Sequence, residues 1–224
     1  MIVVTGASRG IGAEIFKNLQ SKHELVIGLA RNADKKSNIF ECDISDLHSV
    51  KQAAKKIKKI SNKLYAFINV AGIASMNLAL ATPESMTRKI ININLLGTIF
   101  TNQTFAPLII RNKKGRIINF STIAVKLGTK GESIYIASKA GVEGFSKSLA
   151  RELSSFNITV NCIAPGPIKT DLLRGVSDKQ IKDITDQQIF MKTMLPYDIV
   201  NYVDLLLSEE AEHISGQVLG FGGS

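Results

Sequence analysis

The stretch "MIVVTGASRGIG" (residues 1 to 12) decides the fold. A short apolar run is followed at once by a glycine-rich turn, and then by Ile11, Ile15 and Leu19 at helical spacing. This order reads as a buried strand, a tight turn and an amphipathic helix. Gly6 permits the turn, Gly10 lets a ligand approach the backbone, and Gly12 lets the helix pack close to the sheet. The free N–H groups and positive dipole end of such a helix form a cradle for a pyrophosphate, with Ser8, Arg9, Gly10 and Ile11 as its candidate lining.

Beyond this unit the chain keeps alternating. Apolar runs at 25 to 30 ("LVIGLA"), 39 to 42 ("IFEC"), 65 to 70 ("YAFINV"), 116 to 121 ("RIINFS"), 158 to 164 ("ITVNCIA") and 217 to 221 ("QVLGF") bring the expected strands to about seven. Continuous apolar strands separated by helices predict an α/β fold, a doubly wound Rossmann-type parallel sheet with helices on both faces. One connection is too short for the pattern. Only Arg31 to Asn38 separate the second and third strands, so the helix there is expected to be short or missing.

No Pro/Gly/Ser-rich linker divides the 224 residues, which predicts one domain over residues 1 to 224. The first apolar run has no basic segment before it, unlike a secretory signal, and the apolar stretches at 64 to 83 and 90 to 110 carry Asn, Thr, Gln and Gly. No membrane span is expected. Two cysteines and three scattered histidines make neither a disulfide framework nor a metal site, so the reading is a cytoplasmic protein without metal. Much of the net charge of +9 lies in "KQAAKKIKKISNK" (51 to 63), where Val50, Ala53, Ala54 and Ile57 recur at helical spacing and leave the lysines on a solvated face. No aromatic residue interleaves them to stack bases, so no nucleic-acid partner is expected.

The end of the second strand bears on the cofactor. An acid there would hold the ribose hydroxyls of NAD, whereas an arginine pairs with the 2′-phosphate of NADP. The chain reads "GLARN", with Arg31 in place, Arg9 close by in the turn, and Lys35 and Lys36 following. The expected cofactor is NADPH.

"SIYIASKAG" (133 to 141) sets Tyr135 and Lys139 four positions apart on what reads as a helix. Together with "TGASRGIG", "CDISD", "NVAG", "ININLLG", "GRIINFST", "APGPIKTD" and "SGQVLGFGG" in order, it makes the chain closely resemble the short-chain dehydrogenase/reductase family in its compact single-domain form. It is most similar to the 3-oxoacyl-[acyl carrier protein] reductases. The resemblance spans essentially the whole chain. It implies that Tyr135 and Lys139 are the catalytic pair, that Asn94 holds a water in a proton relay, and that Thr122 stands where the family has serine, with Ser121 just before it. It further implies that Asp43 and Ile44 contact the adenine, and that Asn69, Ala71 and Gly72 pass under the ribose and back the site. Pro165, Gly166, Ile168 and Thr170 match the segment at the nicotinamide, and the residues from about 170 to 195 match a mobile substrate lid. Val70 replaces the second asparagine of the family's "NNAG".

The family's carrier-protein reductases dock an acidic acyl carrier through basic residues near the site's mouth. Lys113 and Lys114 keep one such position, and Phe156 occupies the other. Assembly is expected to be a homotetramer or homodimer through helices at about 84 to 111 and 133 to 155 and the last strand, with Gly97, Gly141 and Gly144 able either to serve that contact or to pack the chain's own core.

Side chains at i and i+4 sit about 5 to 6 Å apart. A charge at that distance stabilises a phenolate by roughly 3 kcal/mol at an effective dielectric near 20, which would bring Tyr135 from about 10 to roughly 8. The function read from these residues is reduction of a ketone or aldehyde by NADPH, a 3-oxoacyl thioester being one candidate. A catalytically weak, cofactor-binding regulator or scaffold of the same fold is the alternative left open.

Overall fold

In the computed structural model, residues 1–32, 34, 37–168, 178–191 and 193–223 are described. Seven strands, β1 (Ile2–Thr5), β2 (Val26–Ala30), β3 (Ile39–Glu41), β4 (Ala66–Asn69), β5 (Gly115–Phe120), β6 (Ile158–Pro165) and β7 (Val218–Phe221), form one sheet of order β3-β2-β1-β4-β5-β6-β7. Every pairing is parallel. The order reverses between β1 and β4, so a crevice opens there beyond the carboxyl ends of the strands.

The helices cover both faces. α1 (Gly10–Lys22) and α8 (Pro196–Leu207) lie on one side, where Ile2, Val4, Ile15, Leu19, Val203 and Leu206 make one core. On the other side α2 (Leu47–Ile60), α4 (Gly97–Ile110) and α6 (Ser133–Leu153) bury Val3, Leu29, Val50, Phe67, Phe105 and Val160. The rings of Phe67 and Phe105 stack with centroids 4.9 Å apart, locking α4 onto β4. A buried polar relay links the same layer: the Asn102 amide donates to Asn119 Oδ1 at 2.9 Å, and the Asn119 amide donates to Ser146 Oγ at 2.8 Å. It joins α4, β5 and α6, and polar groups buried there need such partners.

The alternating pattern predicted these elements with small shifts at their ends. Between β2 and β3, Asp34 and Ile39 exchange backbone bonds at 2.8 and 2.9 Å, and no α-helix stands there among the described residues. α2 buries Val50, Ala53 and Ile57 and turns Lys51, Lys55, Lys56, Lys58 and Lys59 to solvent, as the helical spacing required.

One continuous helical segment, Glu84–Ile110, is long and apolar enough to cross a membrane, but half of its most apolar window is buried inside the protein. It is a core helix. Within it α3 (Glu84–Ile91) passes into α4 through a π-helical turn, Asn92–Leu96. A Cβ on Gly97 would lie 2.9 Å from Ile44 and one on Gly141 3.0 Å from Leu95, so both glycines serve the chain's own packing; Gly144 faces open space.

Gly12 has the least room of all those at the site. A Cβ there would sit 2.3 Å from the carbonyl oxygen of Gly6, which is backbone and cannot rotate away. Gly12→Ala is expected to cost about 1 to 3 kcal/mol of stability, as overpacking does, and urea unfolding of the purified variant measures it.

Candidate active site

The polar clamp at the sheet's reversal sets the floor of the crevice. Thr5 Oγ1, at the end of β1, donates to Asn69 Oδ1 at 2.7 Å and accepts from the Ala71 N–H at 3.0 Å. The Asn69 amide donates in turn to Thr101 Oγ1 of α4 at 3.1 Å. Asn69 is thus buried behind the cavity as a brace, while Ala71 and Gly72, just beyond it, reach the wall.

A cavity of about 550 Å³ follows the carboxyl ends of the strands. At one end Gly6, Ser8, Arg9, Gly10, Ile11 and Gly12 line it; no side chain caps the first turn of α1, so its N–H groups stay available to an anion. Arg31, Asp43 and Ile44 line the adjoining wall. Asp43 folds one carboxylate oxygen back onto the N–H and hydroxyl of Ser45, at 2.9 and 2.6 Å, which fixes the loop after β3. Pro165, Gly166 and Ile168 line the cavity beyond β6. Thr170, Lys35 and Lys36 lie outside the described residues.

At the other end Thr122, Tyr135 and Lys139 share the wall. β5 delivers Thr122 and the first turns of α6 deliver the pair, both buried, with Tyr135 8% and Lys139 5% exposed. Lys139 Nζ donates to the Phe120 carbonyl at 2.8 Å and lies 6.0 Å from the centre of the Tyr135 ring. Burial brings the Lys139 ammonium down to about 8. The Thr122 hydroxyl donates to the Pro165 carbonyl at 3.5 Å, accepts from the Ala124 N–H at 3.3 Å and lowers the Tyr135 pKa, whereas the Ser121 hydroxyl donates to Glu143 at 2.5 Å. Of the two hydroxyls, Thr122 is therefore the one that acts on the tyrosine.

The Tyr135 phenol departs from the sequence expectation of about 8. Burial pushes it above its ordinary range, the Glu132 carboxylate adds to the rise, and only the Thr122 hydrogen bond pulls it back. Burial outweighs the nearby Lys139 ammonium, whose hydrogen bond goes to the Phe120 carbonyl.

Asn94 stands one layer behind. The π-helical turn carries its side chain inward, fully buried, where Oδ1 accepts from the Ile73 N–H at 2.9 Å and the amide donates to the Ile73 carbonyl and to Ser138 Oγ, at 2.9 and 3.0 Å. A Cβ on Gly72 would lie 3.2 Å from Asn94 Oδ1 and 3.4 Å from Lys139 Nζ, so only glycine lets these two approach the same backbone.

The basic positions read as flanking the mouth do not do so in this chain. Lys113 and Lys114 precede β5, and Phe156 precedes β6; all three lie at the amino ends of parallel strands, whereas the cavity lies at the carboxyl ends. Lys114 is moreover paired with Glu209 at 2.6 Å.

Several site residues were not foreseen. Ser138 supports Asn94, the Phe120 carbonyl holds Lys139, and Glu132 faces the cavity three residues before Tyr135. The i, i+3 spacing would have found Glu132, but nothing local marks a backbone carbonyl as a partner. Of the apolar residues after 177, Ile181 and Ile184 line the cavity, while Ile189, Phe190 and Met191 are exposed; Leu172 and Leu173 lie outside the described residues.

Comparison with known proteins agrees with this geometry. The family profile described as enoyl-(acyl carrier protein) reductase matches residues 6–223. The 3-oxoacyl-[acyl-carrier-protein] reductase FabG of Escherichia coli (strain K12) is 34% identical over 231 residues, covering 99% of this chain and 95% of that protein. The chain belongs to the short-chain dehydrogenase/reductase family. FabG of Staphylococcus aureus (strain Mu50) is 33% identical over 235 residues, covering 99% and 96%. In ligand-free form, the aldohexose dehydrogenase of Thermoplasma acidophilum superposes with a TM-score of 0.90 at 28% identity, covering 99% of this chain and 92% of that one. The protein is thus an oxidoreductase of this family, whose members use NAD(P).

The low Lys139 value has a consequence for stability. The unfolded side chain titrates at 10.5 and the folded one at about 8, so the unfolded state binds the extra proton between these values and stability rises with pH across that window. Relative to Lys139→Met, the wild type should gain up to about 3 kcal/mol from pH 7.5 to 10.5, read by urea unfolding of both proteins at the two pH values.

Proposed function

We propose that the protein is an NADPH-dependent reductase of a ketone or aldehyde. The observation that carries this reading is that Thr122, Tyr135 and Lys139 stand on the wall of the same cavity as the uncapped N-terminus of α1. The residues present fit the dinucleotide: free N–H groups for the pyrophosphate, Arg9 and Arg31 for a 2′-phosphate, Asp43 and Ile44 beside the adenine, and Pro165, Gly166 and Ile168 toward the nicotinamide. When bound, that nicotinamide supplies the hydride.

The protein's own part is orientation and proton delivery. Negative charge grows on the carbonyl oxygen as its carbon is reduced, and the Tyr135 hydroxyl, kept protonated by burial, gives that oxygen its proton while Thr122 donates a second hydrogen bond. The Lys139 ammonium beside the ring stabilises the tyrosinate that results. Asn94 acts through other groups, fixing Ile73 and Ser138 and so the start of α6. Ile181 and Ile184 of the helix at Asp178–Thr185 line the cavity and serve to cover the substrate.

Relatives of this chain include reductases of 3-oxoacyl-[acyl-carrier-protein] and an aldohexose dehydrogenase. Lys113 and Lys114, at the amino ends of the strands, give a carrier protein no hold beside this chain's cavity, which favours a free carbonyl compound.

Two measurements test the reading. Following NADPH absorbance with ketones, aldehydes, sugars and 3-oxoacyl thioesters, Tyr135→Phe should lose about 10² to 10⁴ in kcat while binding NADPH as before; near wild-type turnover would refute the proton donor. In fluorescence titration NADPH should bind at least about tenfold more tightly than NADH, and Arg31→Asp should remove the difference.

A further inference from the structure

Glu132 ends the loop before α6 and faces the main cavity beside Tyr135, whose phenol feels its charge. Burial raises its carboxyl above the ordinary range, and it makes no hydrogen bond or ion pair among the described residues. A half-buried carboxylate without a partner is costly. Here it is doubly so, because its charge opposes the negative charge that must build beside Tyr135. Such a group is accounted for by a ligand that supplies the missing donor.

The cavity continues outward from there. A smaller cavity adjoins the main one, sharing Met76 and Ile184 with it, and is lined by Thr129, Lys130 and Gly131. Thr129 is 8% exposed, and its hydroxyl has no hydrogen-bond partner among the described residues. The Thr129 oxygen itself is buried behind that wall, so the unsatisfied group that faces the cavity beside Tyr135 is the Glu132 carboxylate. An alkyl chain lying there would leave it without a donor.

We infer that Glu132 is a specificity-determining residue, accepting a hydrogen bond from a hydroxyl on the carbon next to the substrate's carbonyl. The substrate class is a hydroxylated aldehyde or ketone. This rests on the carbonyl-reductase reading above. The i, i+3 relation sets the two Cβ atoms roughly 5 to 6 Å apart, a span that a carbonyl and its neighbouring hydroxyl bridge between the two side chains. A site built to pair with a hydroxyl rejects the analogue that lacks it far more strongly than an apolar pocket distinguishes the two.

The test compares matched pairs, hydroxyacetone with butanone and glyceraldehyde with butanal, on the wild type, Glu132→Leu and Glu132→Gln. By NADPH consumption the wild type should favour the hydroxylated partner at least about tenfold in kcat/KM, Glu132→Leu should lose or invert that preference mainly through KM, and Glu132→Gln should keep part of it. An unchanged ratio in Glu132→Leu overturns the role of Glu132 and leaves the reductase reading standing. Saturation-transfer NMR of the same compounds with each protein and NADP provides a readout independent of turnover. Hydroxyl-dependent binding that Glu132→Leu abolishes, without turnover of any carbonyl, sustains the inference and refutes the reductase; neither binding nor turnover refutes both.

Discussion

The bond from Thr5 Oγ1 to Asn69 Oδ1 holds β1 against β4 at the one place where the sheet changes direction. Everything at the site is measured from it. The same threonine fixes the Ala71 N–H, so the chain leaving β4 starts from a set position, and Asn69 braces Thr101 so that α4 cannot drift from the sheet. Had either residue been apolar, the other would be left with an unmet polar group in the core, a cost of about 1 to 3 kcal/mol. The crevice is therefore rigid where a cofactor would lie.

From that fixed floor the two ends of the cavity acquire opposite characters. One end is backbone and positive charge: uncapped N–H groups, Arg9 and Arg31. The other is side-chain chemistry in a buried setting, where the same desolvation acts on both partners of the pair. It raises the Tyr135 phenol and lowers the Lys139 ammonium to about 8, so each is driven toward its neutral form. Burial thus outweighs the attraction between the two that spacing alone suggested. A phenol held in its acid form still suits proton donation, since an alkoxide is a far stronger base than a phenolate.

Much of this was legible along the chain. The glycine turn, the seven apolar runs and the short link between β2 and β3 follow from local rules, and each appears where the pattern put it. The resemblance put Thr122 rather than Ser121 at the family's serine position, but what each hydroxyl touches comes from tertiary contacts: Thr122 meets the Pro165 carbonyl and Ser121 meets Glu143. The π-helical turn at 92–96 was equally hidden, since nothing in "NINLL" differs from an ordinary helix. Lys113 and Lys114 show the opposite failure: the residues were read correctly, but which end of the strands they occupy depends on strand direction.

By itself the sequence determined the order of strands and helices, the glycine-rich turn and the Tyr135–Lys139 spacing, because these rest on neighbours within a few residues. Only the tertiary structure decided how those groups are charged and what they touch. Burial, the Phe120 carbonyl beside Lys139, the lone carboxylate of Glu132 and the clamp from Asn94 to Ile73 all join residues distant in the chain, or set the medium between them. Electrostatic energy depends on that medium more steeply than on spacing, so a local pattern can name the reacting groups without fixing their protonation.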